Sequence, residues 1–528
     1  MFTTLAAPVQ LAAQGNHDGN KNPKHHHYKF IDMGTFGGPE SNINNALSLG
    51  APNQINSHGT TVGTSATSIP SPPHGNFGFC GGLDGMVHFV FHAFQWQDGK
   101  VTDLAALPGH HNCSVATSIN AGGEIAGDSE ISVIDPVLGY REIRAVRWKN
   151  GKITNLGTFG GKFSVMTAIN DQGQIAGSAL NATPDPFSLL YDVLAGSPKG
   201  TQTRAFLWQN GNKQDLGTLD GPDAQTYGLN NQGQVTGISY TNSIPNSTTG
   251  LPTANPFLWE PKTGKMKDLG TLGGVWGWAG VLNNKGQVIG YSSLAADPGA
   301  CIGIGNTANC HPFLWDARKN NGNLLDLTAQ SGGLFVAANA ISENGDIAGL
   351  GDFSGTFDAA LWKNGKVIDL GHLAGHCSSE AFGINSRGQA IGLSVACDSS
   401  FHSFLWENGS MVDLNTLIPP NASLYLIETL AINDRGEIAG DGLPAGCGDD
   451  GTCGHAYLLI PCDEHHPGVD GCDYSLVDAT MVAQVHLQGA QTRSVARDNG
   501  VPIGLLGRLP SEIARRYQIP AGVDGSRK

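Results

Sequence analysis

Short apolar segments alternate with glycine-rich turns along the chain from residue 28 to residue 462. Three motifs recur in a fixed order: a crossover of the type Asp-Leu-Gly-Thr-Leu-Gly-Gly, a turn of the type Ile-Asn-x-x-Gly-Gln-Ile-x-Gly, and an aromatic segment of the type Ala-Phe-Leu-Trp. Each motif occurs in eight copies, at a mean spacing of about 54 residues. Repeats of this length predict an all-β protein made of four-stranded units, as in a β-propeller.

The motifs assign the four strands of each unit, here called A to D in chain order. Strand A ends at Ile-Asn, the Asn-x-x-Gly turn requires residues that tolerate a positive φ, and the apolar segment after it opens strand B. Ala-Phe-Leu-Trp is strand C, and strand D ends at Asp-Leu-Gly. Seven of the nine tryptophans end strand C, so we expect them to pack between neighbouring units.

The two ends of the repeat region complement each other. Residues 28–34 form a strand D without a preceding A, B or C, and the last repeat stops after strand C at residues 456–462. Pairing these segments completes a unit and removes two exposed sheet edges. The sequence therefore predicts one eight-bladed β-propeller with 1+3 strand closure over 28–462, between a signal-like N-terminus with a polar linker (1–27) and an irregular C-terminal tail (463–528).

Composition limits which binding partners and which cellular location can be expected for the protein. Its net charge of −15 disfavours binding to nucleic acid or anionic lipid, and no apolar run reaches the roughly 18 residues of a membrane span. The first fourteen residues, MFTTLAAPVQLAAQ, are small and apolar like the later part of a secretory signal. An extracellular or cell-envelope monomer is expected.

Ten cysteines without a Cys-x-x-Cys pair favour disulfides over zinc. Three pairs are close in sequence, and for the other four cysteines the propeller topology places two pairs on one rim of the ring. We therefore predict five bridges: Cys80 with Cys113, Cys301 with Cys310, Cys377 with Cys397, Cys447 with Cys453, and Cys462 with Cys472.

The joint motif resembles the HAF-repeat family of bacterial extracellular repeat proteins. The resemblance covers residues 28–462, although the crossover copies at Asp326 and Asp413 depart from the pattern. It implies export from a bacterial cell. It implies no activity and supplies no functional residues.

Trp276 and Trp278 are the two tryptophans outside strand C. They lie in the crossover before the fifth unit, where sibling copies carry unrelated residues such as Asp223 and Gln225. Aromatic rings of this kind stack on sugars or other flat ligands, so they are the candidate ligand-binding residues. The alternative is that they fill the central channel of the ring.

Other candidates have simpler interpretations. The asparagines of the Ile-Asn turns are expected to cap those turns, and the histidines at 25–27 and 465–466 to be solvated runs without a metal. Asp128, Asp135, Asp185 and Asp352 could pair for glycosidase chemistry, but no spacing singles out two of them. No catalytic motif is present in the sequence, and no cofactor is assigned.

The long B–C connections emerge on the same rim as the crossovers, and loops on a rigid scaffold commonly carry binding sites. The sequence therefore favours a secreted, non-catalytic binding or adhesion module acting through this long-loop face, on a polysaccharide or a protein partner. The alternative is a secreted enzyme, either carbohydrate-active or another propeller enzyme. A quinoprotein is disfavoured because no adjacent cysteine pair exists. A structural envelope protein is a third hypothesis.

Overall fold

The computed structural model describes residues 24–43, 53–72, 89–195, 199–299, 301, 310–398, 400–447 and 453–478. Strands dominate this part of the chain. The short helices are α1 (Leu189–Ala195) and α2 (Leu327–Gln330), and 3-10 turns lie at Asn320–Gly322 and Leu414–Thr416. The prediction of an all-β protein is confirmed.

The strands of the N-terminal half are β1 (Lys24–His26), β2 (Tyr28–Asp32), β3 (Gly37–Asn42), β4 (Thr61–Pro70), β5 (Phe89–Gln97), β6 (Lys100–Asp103), β7 (Ser114–Ile119), β8 (Ile125–Ile134), β9 (Arg141–Lys149), β10 (Lys152–Asn155), β11 (Gly160–Ile169), β12 (Ile175–Asp185), β13 (Gly200–Gln209), β14 (Asn212–Asp215), β15 (Ala224–Leu229), β16 (Val235–Pro245), β17 (Pro252–Glu260) and β18 (Lys265–Asp268). Those of the C-terminal half are β19 (Gly273–Leu282), β20 (Val288–Leu294), β21 (Cys310–Trp315), β22 (Leu325–Asp326), β23 (Phe335–Ile341), β24 (Ile347–Phe353), β25 (Thr356–Lys363), β26 (Lys366–Gly371), β27 (His376–Ile384), β28 (Ala390–Ala396), β29 (Phe401–Glu407), β30 (Ser410–Asp413), β31 (Leu424–Ile432), β32 (Ile438–Pro444), β33 (His455–Pro461) and β34 (Leu476–Asp478).

These strands form antiparallel sheets of four, in which neighbours along the chain are neighbours in the sheet. We number them unit 1 (β3–β6), unit 2 (β7–β10), unit 3 (β11–β14), unit 4 (β15–β18), unit 5 (β19–β22), unit 6 (β23–β26), unit 7 (β27–β30) and unit 8 (β31–β33 with β2). Units 4 and 5 are joined by one parallel contact, between Ala254 and Trp276.

Unit 8 combines three C-terminal strands with one N-terminal strand. In the pairing of β2 with β33, Tyr28 lies opposite Pro461 and Asp32 opposite Tyr457. The pairing predicted for these two segments is therefore present. Next to it, β1 pairs with β34 in antiparallel register, so that parts of the predicted linker and tail are also ordered strands.

The Asn-x-x-Gly turns have the predicted geometry. In unit 3, the Oδ1 atom of Asn170 accepts hydrogen bonds from the backbone N–H groups of Gln172 (3.1 Å) and Gln174 (2.9 Å). Gly173 in the same turn has a φ of 71°. Glycine is required there twice over, because the positive φ disfavours other residues and Glu124 of unit 2 lies within 3.2 Å of where a Cβ would be.

The same asparagines also connect the units to one another. Each Nδ2 atom donates to the backbone carbonyl of the matching residue in the next unit, at 2.9 to 3.1 Å: Asn56 to Asn120, Asn120 to Asn170, Asn170 to Asn230, Asn230 to Asn283, Asn283 to Ser342, Asn385 to Asn433, and Asn433 to Asn56. These residues cap their turns as predicted and in addition form a row that links the last unit to the first.

Strand C tryptophans pack between neighbouring units. Trp208 lies in a cluster with Phe206 and Ile175 of its own unit and with Ala126 and Ala145 of unit 2, and all five residues are buried. Truncating a buried aromatic side chain of this kind to alanine costs about 3–5 kcal/mol. The repeated tryptophan is therefore a core residue, as the sequence predicts.

Four of the five predicted disulfides are present. The Cα–Cα distances are 5.0 Å for Cys301–Cys310, 5.1 Å for Cys377–Cys397, 5.7 Å for Cys447–Cys453 and 5.4 Å for Cys462–Cys472. Cys113 is also disulfide-bonded, whereas Cys80 lies outside the described residues, so the bridge between these two stays a prediction. Within the described ranges, no helix is long and apolar enough to cross a bilayer.

Candidate functional site

Two buried aspartates meet where unit 3 contacts unit 4, on the rim that carries the B–C connections and the crossovers. Asp185 is the last residue of β12, and Asp223 immediately precedes β15, the strand A of unit 4. The sequence analysis named Asp185 among four scattered aspartates without singling it out, and it did not consider Asp223 as a catalytic candidate. The available signal was that Asp223 occupies the repeat position of Trp276 and Phe163, where only unit 1 also has a carboxylate, Glu40.

Backbone N–H groups hold both carboxyl groups in place. The Oδ2 atom of Asp223 accepts from the N–H of Leu189 at 2.7 Å, and its Oδ1 atom accepts from Thr203 at 2.9 Å. Asp185 accepts through Oδ1 from the N–H of Phe187 at 2.9 Å. Asp223 is 0% and Asp185 5% exposed, because α1 and its flanking residues lie over them.

Burial and the neighbouring carboxyl group of Asp185 raise the pKa of Asp223 to about 8, even though two backbone N–H groups oppose the shift. Asp223 therefore keeps its proton at neutral pH and can act as a proton donor. The Oδ2 atom of Asp185 is buried and has no hydrogen-bond partner, so it can act as a proton acceptor. A donor beside an acceptor is what general acid–base catalysis requires.

Aromatic residues border the pair. Trp276, Tyr240 and Leu189 belong to one buried cluster, in which the ring centroids of Trp276 and Tyr240 are 6.0 Å apart in an edge-on arrangement. Burial, with the nearby Asp223 adding to it, raises the pKa of Tyr240 well above its ordinary value. Of the two predicted ligand-binding tryptophans, Trp276 therefore lies beside the carboxyl pair.

Trp278 lies in a second aromatic group. It is half-buried, and its ring centroid is 4.9 Å from that of Tyr291 and 5.6 Å from that of Tyr227. The Tyr291 hydroxyl accepts a hydrogen bond from the N–H of Ala338 in unit 6 at 3.0 Å. Trp278, Tyr227 and Tyr291 pack against the cluster that contains Trp276, so the two predicted tryptophans lie in one aromatic region, and their role in ligand binding stays a prediction.

The other aspartates named from the sequence have separate local roles. Asp128 is buried and accepts a hydrogen bond from the N–H of Met166 in the next unit at 2.9 Å; burial raises its pKa to about 8. Asp135 pairs with Lys162 at 2.7 Å. Asp352 accepts from the N–H of Gly355 in a turn. These contacts explain all three residues without catalysis.

A further titratable carboxyl group belongs to Glu380 on β27. Burial raises its pKa to about 7, and the Nδ2 atom of Asn339 donates to Oε1 at 2.9 Å, which opposes the shift. Glu380 has the protonation behaviour of an acid–base residue, but its hydrogen-bonding partner is an amide. The Asp185–Asp223 pair is the stronger candidate because it supplies a donor and an acceptor together.

Several histidines on the long-loop rim pair with the aspartate of the crossover motif within their own unit. These pairs are His92–Asp103, His311–Asp326, His402–Asp413 and His455–Asp32, at 2.8 to 2.9 Å. Each joins strand C to strand D. Their repetition around the molecule indicates a role in the fold.

The expectation that the terminal histidines are solvated is wrong for two of them. His25 is fully buried, with Nδ1 3.0 Å from Oε1 of Glu407. His466 is also buried, with Nδ1 2.7 Å from Oδ1 of Asp463. The pairing of β1 with β34 places these segments against units 7 and 8, which local sequence could not indicate. Over the described residues, no group of three or more His, Cys, Asp or Glu side chains could hold a metal ion.

Comparison with known proteins gave structural likenesses alone. No family model and no curated protein sequence matches the chain. A puromycin-hydrolyzing peptidase from Mycobacterium tuberculosis is similar at 13% identity and a TM-score of 0.37, over 78% of this chain and 62% of that one. An acylaminoacyl peptidase from Pyrococcus horikoshii is similar at 12% identity and a TM-score of 0.35, over 75% and 57%. TolB from Acinetobacter baumannii is similar at 12% identity and a TM-score of 0.30, over 67% and 77%.

The chain spans about 60% of the length of the two peptidases. The leading expectation of a non-catalytic binding or adhesion module is corrected by these comparisons, because the similar structures are mainly those of peptidases. Identities this low carry no activity over to this chain, so the case for a reaction has to come from its own residues.

Proposed function

We propose that the chain is an enzyme, a hydrolase of acyl bonds in peptides or esters, with Asp185 and Asp223 as its catalytic pair. The observation that carries this proposal is the burial of two neighbouring carboxyl groups, of which Asp223 has a pKa raised to about 8 and Asp185 has an Oδ2 atom without a hydrogen-bond partner. In the reaction, the ionised carboxylate takes a proton from water as the water oxygen bonds to the acyl carbon. The neutral carboxyl group protonates the carbonyl oxygen, which gives a tetrahedral intermediate with two hydroxyl groups. The carboxyl group that took the proton from water then protonates the amine or alcohol as its bond to the acyl carbon breaks, and the other carboxylate regains its proton from a hydroxyl group of the intermediate.

A neutral carboxyl group beside a second carboxyl group suits attack by water on a planar carbonyl group, because one group can protonate the carbonyl oxygen while the other takes a proton from the water. We therefore favour hydrolysis of acyl bonds for this pair.

Substrate must reach the pair from the long-loop rim. Leu189 in α1 donates its N–H to Asp223 and is buried beside Tyr240 and Trp276, so turnover requires this helix to move aside. Trp276 and Tyr240 would then form an apolar wall beside the reacting carbonyl group. We propose Trp276 as a substrate-binding residue on that basis, and Trp278 as one in the adjoining aromatic group.

The test is a substrate panel with matched variants. The purified full chain is assayed against quenched fluorescent peptides, nitrophenyl esters and glycans. We expect turnover of peptides or esters, a loss of at least about a hundredfold in Asp185→Asn and in Asp223→Asn, and retention in Asp128→Asn. Asp128 is the matched control because it is a buried carboxyl group with a similarly raised pKa outside the pair.

Three outcomes would overturn the proposal: no turnover, turnover of glycans alone, or hydrolysis that survives both substitutions in the pair. In the last case, Asp185 and Asp223 merely fix the 185–203 connection in place. A change in melting temperature without a change in rate would identify that structural role.

For the architecture, we propose that the eight units are the blades of one propeller with 1+3 closure. The supporting contacts all join unit 8 to unit 1. Asn433 donates to the carbonyl of Asn56, and Asp441 accepts from the N–H of Ile43 at 2.9 Å. The carboxylate of Glu437 lies against Gly59, as the matching residues do between other units. These contacts have the same form as those between consecutive units, which is what a ring requires.

We also propose that the protein is secreted and belongs with the HAF-repeat proteins. The disulfides support an oxidising compartment. Expression in a bacterial host with a C-terminal tag tests this directly: recovery of the chain from the medium or periplasm agrees, and recovery from the reducing cytoplasm contradicts it.

A further inference from the structure

Solvent exposure distinguishes one disulfide from the others in the described part of the chain. Both cysteines of the Cys377–Cys397 bridge are exposed. Exchange between a disulfide and a thiol in solution depends on access to the sulfur atoms, so this bridge is the one that a dissolved thiol reaches most easily. In the other three described bridges at least one cysteine is wholly or partly buried: Cys301 (5% exposed), Cys462 (1% exposed), and both Cys447 and Cys453 (half-buried).

The exposed bridge fastens two irregular pieces of backbone at the long-loop rim of unit 7. Cys377 is the extra residue at a register shift between His376 and Ser378, so it has no partner residue in β28. Cys397 follows Ala396, the last residue of β28. Because neither cysteine is paired within the sheet, the bridge can open without breaking the strand pairing of unit 7.

A carboxylate stands directly beside the bridge in the sequence. The Oδ1 atom of Asp398 accepts hydrogen bonds from the N–H group of Ser400 at 3.0 Å and from its hydroxyl at 2.8 Å. These hydrogen bonds favour the ionised form of Asp398. An anionic molecule that approaches Cys397 therefore meets a like charge, whereas a neutral or cationic one does not.

We propose that the Cys377–Cys397 bridge is a site of thiol–disulfide exchange with small thiols, and that neutral or cationic thiols are preferred over anionic ones. The thiolate attacks the Sγ atom of Cys397, a new S–S bond forms, and the departing sulfur of Cys377 takes a proton from water. A second thiolate then attacks the mixed disulfide, which releases the small molecule as its own disulfide and leaves both cysteines as thiols. The small thiols are oxidised and the bridge is reduced. This site is independent of the reaction proposed for Asp185 and Asp223.

Opening the bridge affects the rim where unit 7 meets unit 8. The ring of His376, next to Cys377, has its centroid 4.6 Å from that of His402, and the ring of Tyr425 in unit 8 lies 5.4 Å from His402 on centroids. Without the bridge, the segment that carries His376 loses its covalent tie to the end of β28. We expect the backbone N–H groups of residues 371–376 to exchange faster with deuterated water in the reduced protein.

Timed reduction of the native full chain tests the proposal. The protein is treated near neutral pH with low-millimolar cysteamine, a cationic thiol, and samples are quenched with iodoacetamide. Peptide mass spectrometry then quantifies the modification of each cysteine. We expect Cys377 and Cys397 to react at least about tenfold faster than Cys301 and Cys462, because access limits the rate at the buried bridges.

A second series uses mercaptoethanesulfonate, an anionic thiol, on the wild type and on Asp398→Asn. The ratio of the cysteamine rate to the mercaptoethanesulfonate rate should fall by at least about twofold in the variant at low ionic strength. Taking this ratio cancels the intrinsic difference in reactivity between the two thiols. A ratio that is the same in both proteins would overturn the charge preference.

The double variant with Cys377→Ser and Cys397→Ser is the control for the assignment of the fast reaction. It should lose the fast phase and keep the slow reactions of the other bridges. Modification of Cys447 and Cys453 as fast as that of the exposed bridge would contradict the proposal. So would a common rate for all bridges equal to the rate of global unfolding, measured by tryptophan fluorescence.

Discussion

Units 1 to 4 and units 5 to 8 share one core but differ in their B–C connections. Strand B has 10, 10, 11 and 11 residues in the first four units and 7 residues in each of the last four. The additional residues extend the hairpins beyond the core, where their side chains are exposed. Disulfides close the connections of units 5 and 8 and tie that of unit 7 to its crossover.

This difference locates the candidate site. Asp185 is the eleventh residue of β12 and lies opposite Gly200, beyond a register shift that follows Leu180. A seven-residue strand B, as in units 5 to 8, would end before it. The extension of unit 3 thus carries a carboxyl group to the crossover of unit 4, whereas disulfides close or tie three of the four B–C connections of the second half. The proposed catalytic pair therefore depends on a long hairpin of the first half.

The largest expected effect is a pH-dependent change in stability caused by Asp128, which lies in the first half of the molecule. Because the folded-state pKa of Asp128 is raised to about 8, the folded protein holds this proton more tightly than the unfolded chain does. The stabilisation that protonated Asp128 gives to the fold is fully present below about pH 4 and is lost as the pH rises toward 8. Asp128→Asn removes that loss, so at pH 9 the variant should be more stable than the wild type by on the order of 4 kcal/mol.

Urea unfolding of both proteins between pH 5 and pH 9 measures this difference. Asp135→Asn is the control of opposite sign, since Lys162 holds the pKa of Asp135 below its ordinary value despite some burial. That ion pair stabilises the fold above the unfolded-state pKa and is lost as the pH falls. A stability difference between Asp128→Asn and the wild type that does not grow with pH would show that Asp128 keeps its charge.

How far the sequence predicted these features depends on the range of the interactions involved. The Asn170 turn and the Trp208 core position are local or repeated, so a single copy of the motif informs all others. The Cys377–Cys397 bridge required the topology as well. Asp223 could not be predicted as a site residue, because its role depends on which loop covers it in the folded protein. The burial of His25 likewise depends on a strand more than four hundred residues away.

The second prediction concerns the cross-linked half. Replacing Cys377 and Cys397 together by serine should lower the free energy of unfolding by about 3 kcal/mol, because this bridge closes a loop with a sequence separation of 20. The same double substitution at Cys447 and Cys453, with a separation of 6, should cost about 2 kcal/mol. Chemical denaturation under non-reducing conditions compares the two. Equal losses would show that native-state strain, and not loop length, sets the ranking.

The smallest expected effect lies in the row of asparagines that runs through both halves. Ser342 interrupts it: its hydroxyl accepts from the N–H of Asp346 at 3.2 Å, and the neighbouring Asn344 donates to the carbonyl of Ser386 at 2.7 Å. Ser342→Asn supplies an amide that can donate to Asn385, which should add about 1 kcal/mol of stability and raise the melting temperature by about 1–2 °C. Asn283→Ser makes the reverse change at the preceding unit and should lower stability by a similar amount. Calorimetry on the two variants tests this expectation. If the row of asparagines acts only by linking units, Ser342→Asn must raise the melting temperature and Asn283→Ser must lower it. If Ser342→Asn destabilises the protein, the Asn344 contact has already replaced the missing bond and the serine is the better residue at that position.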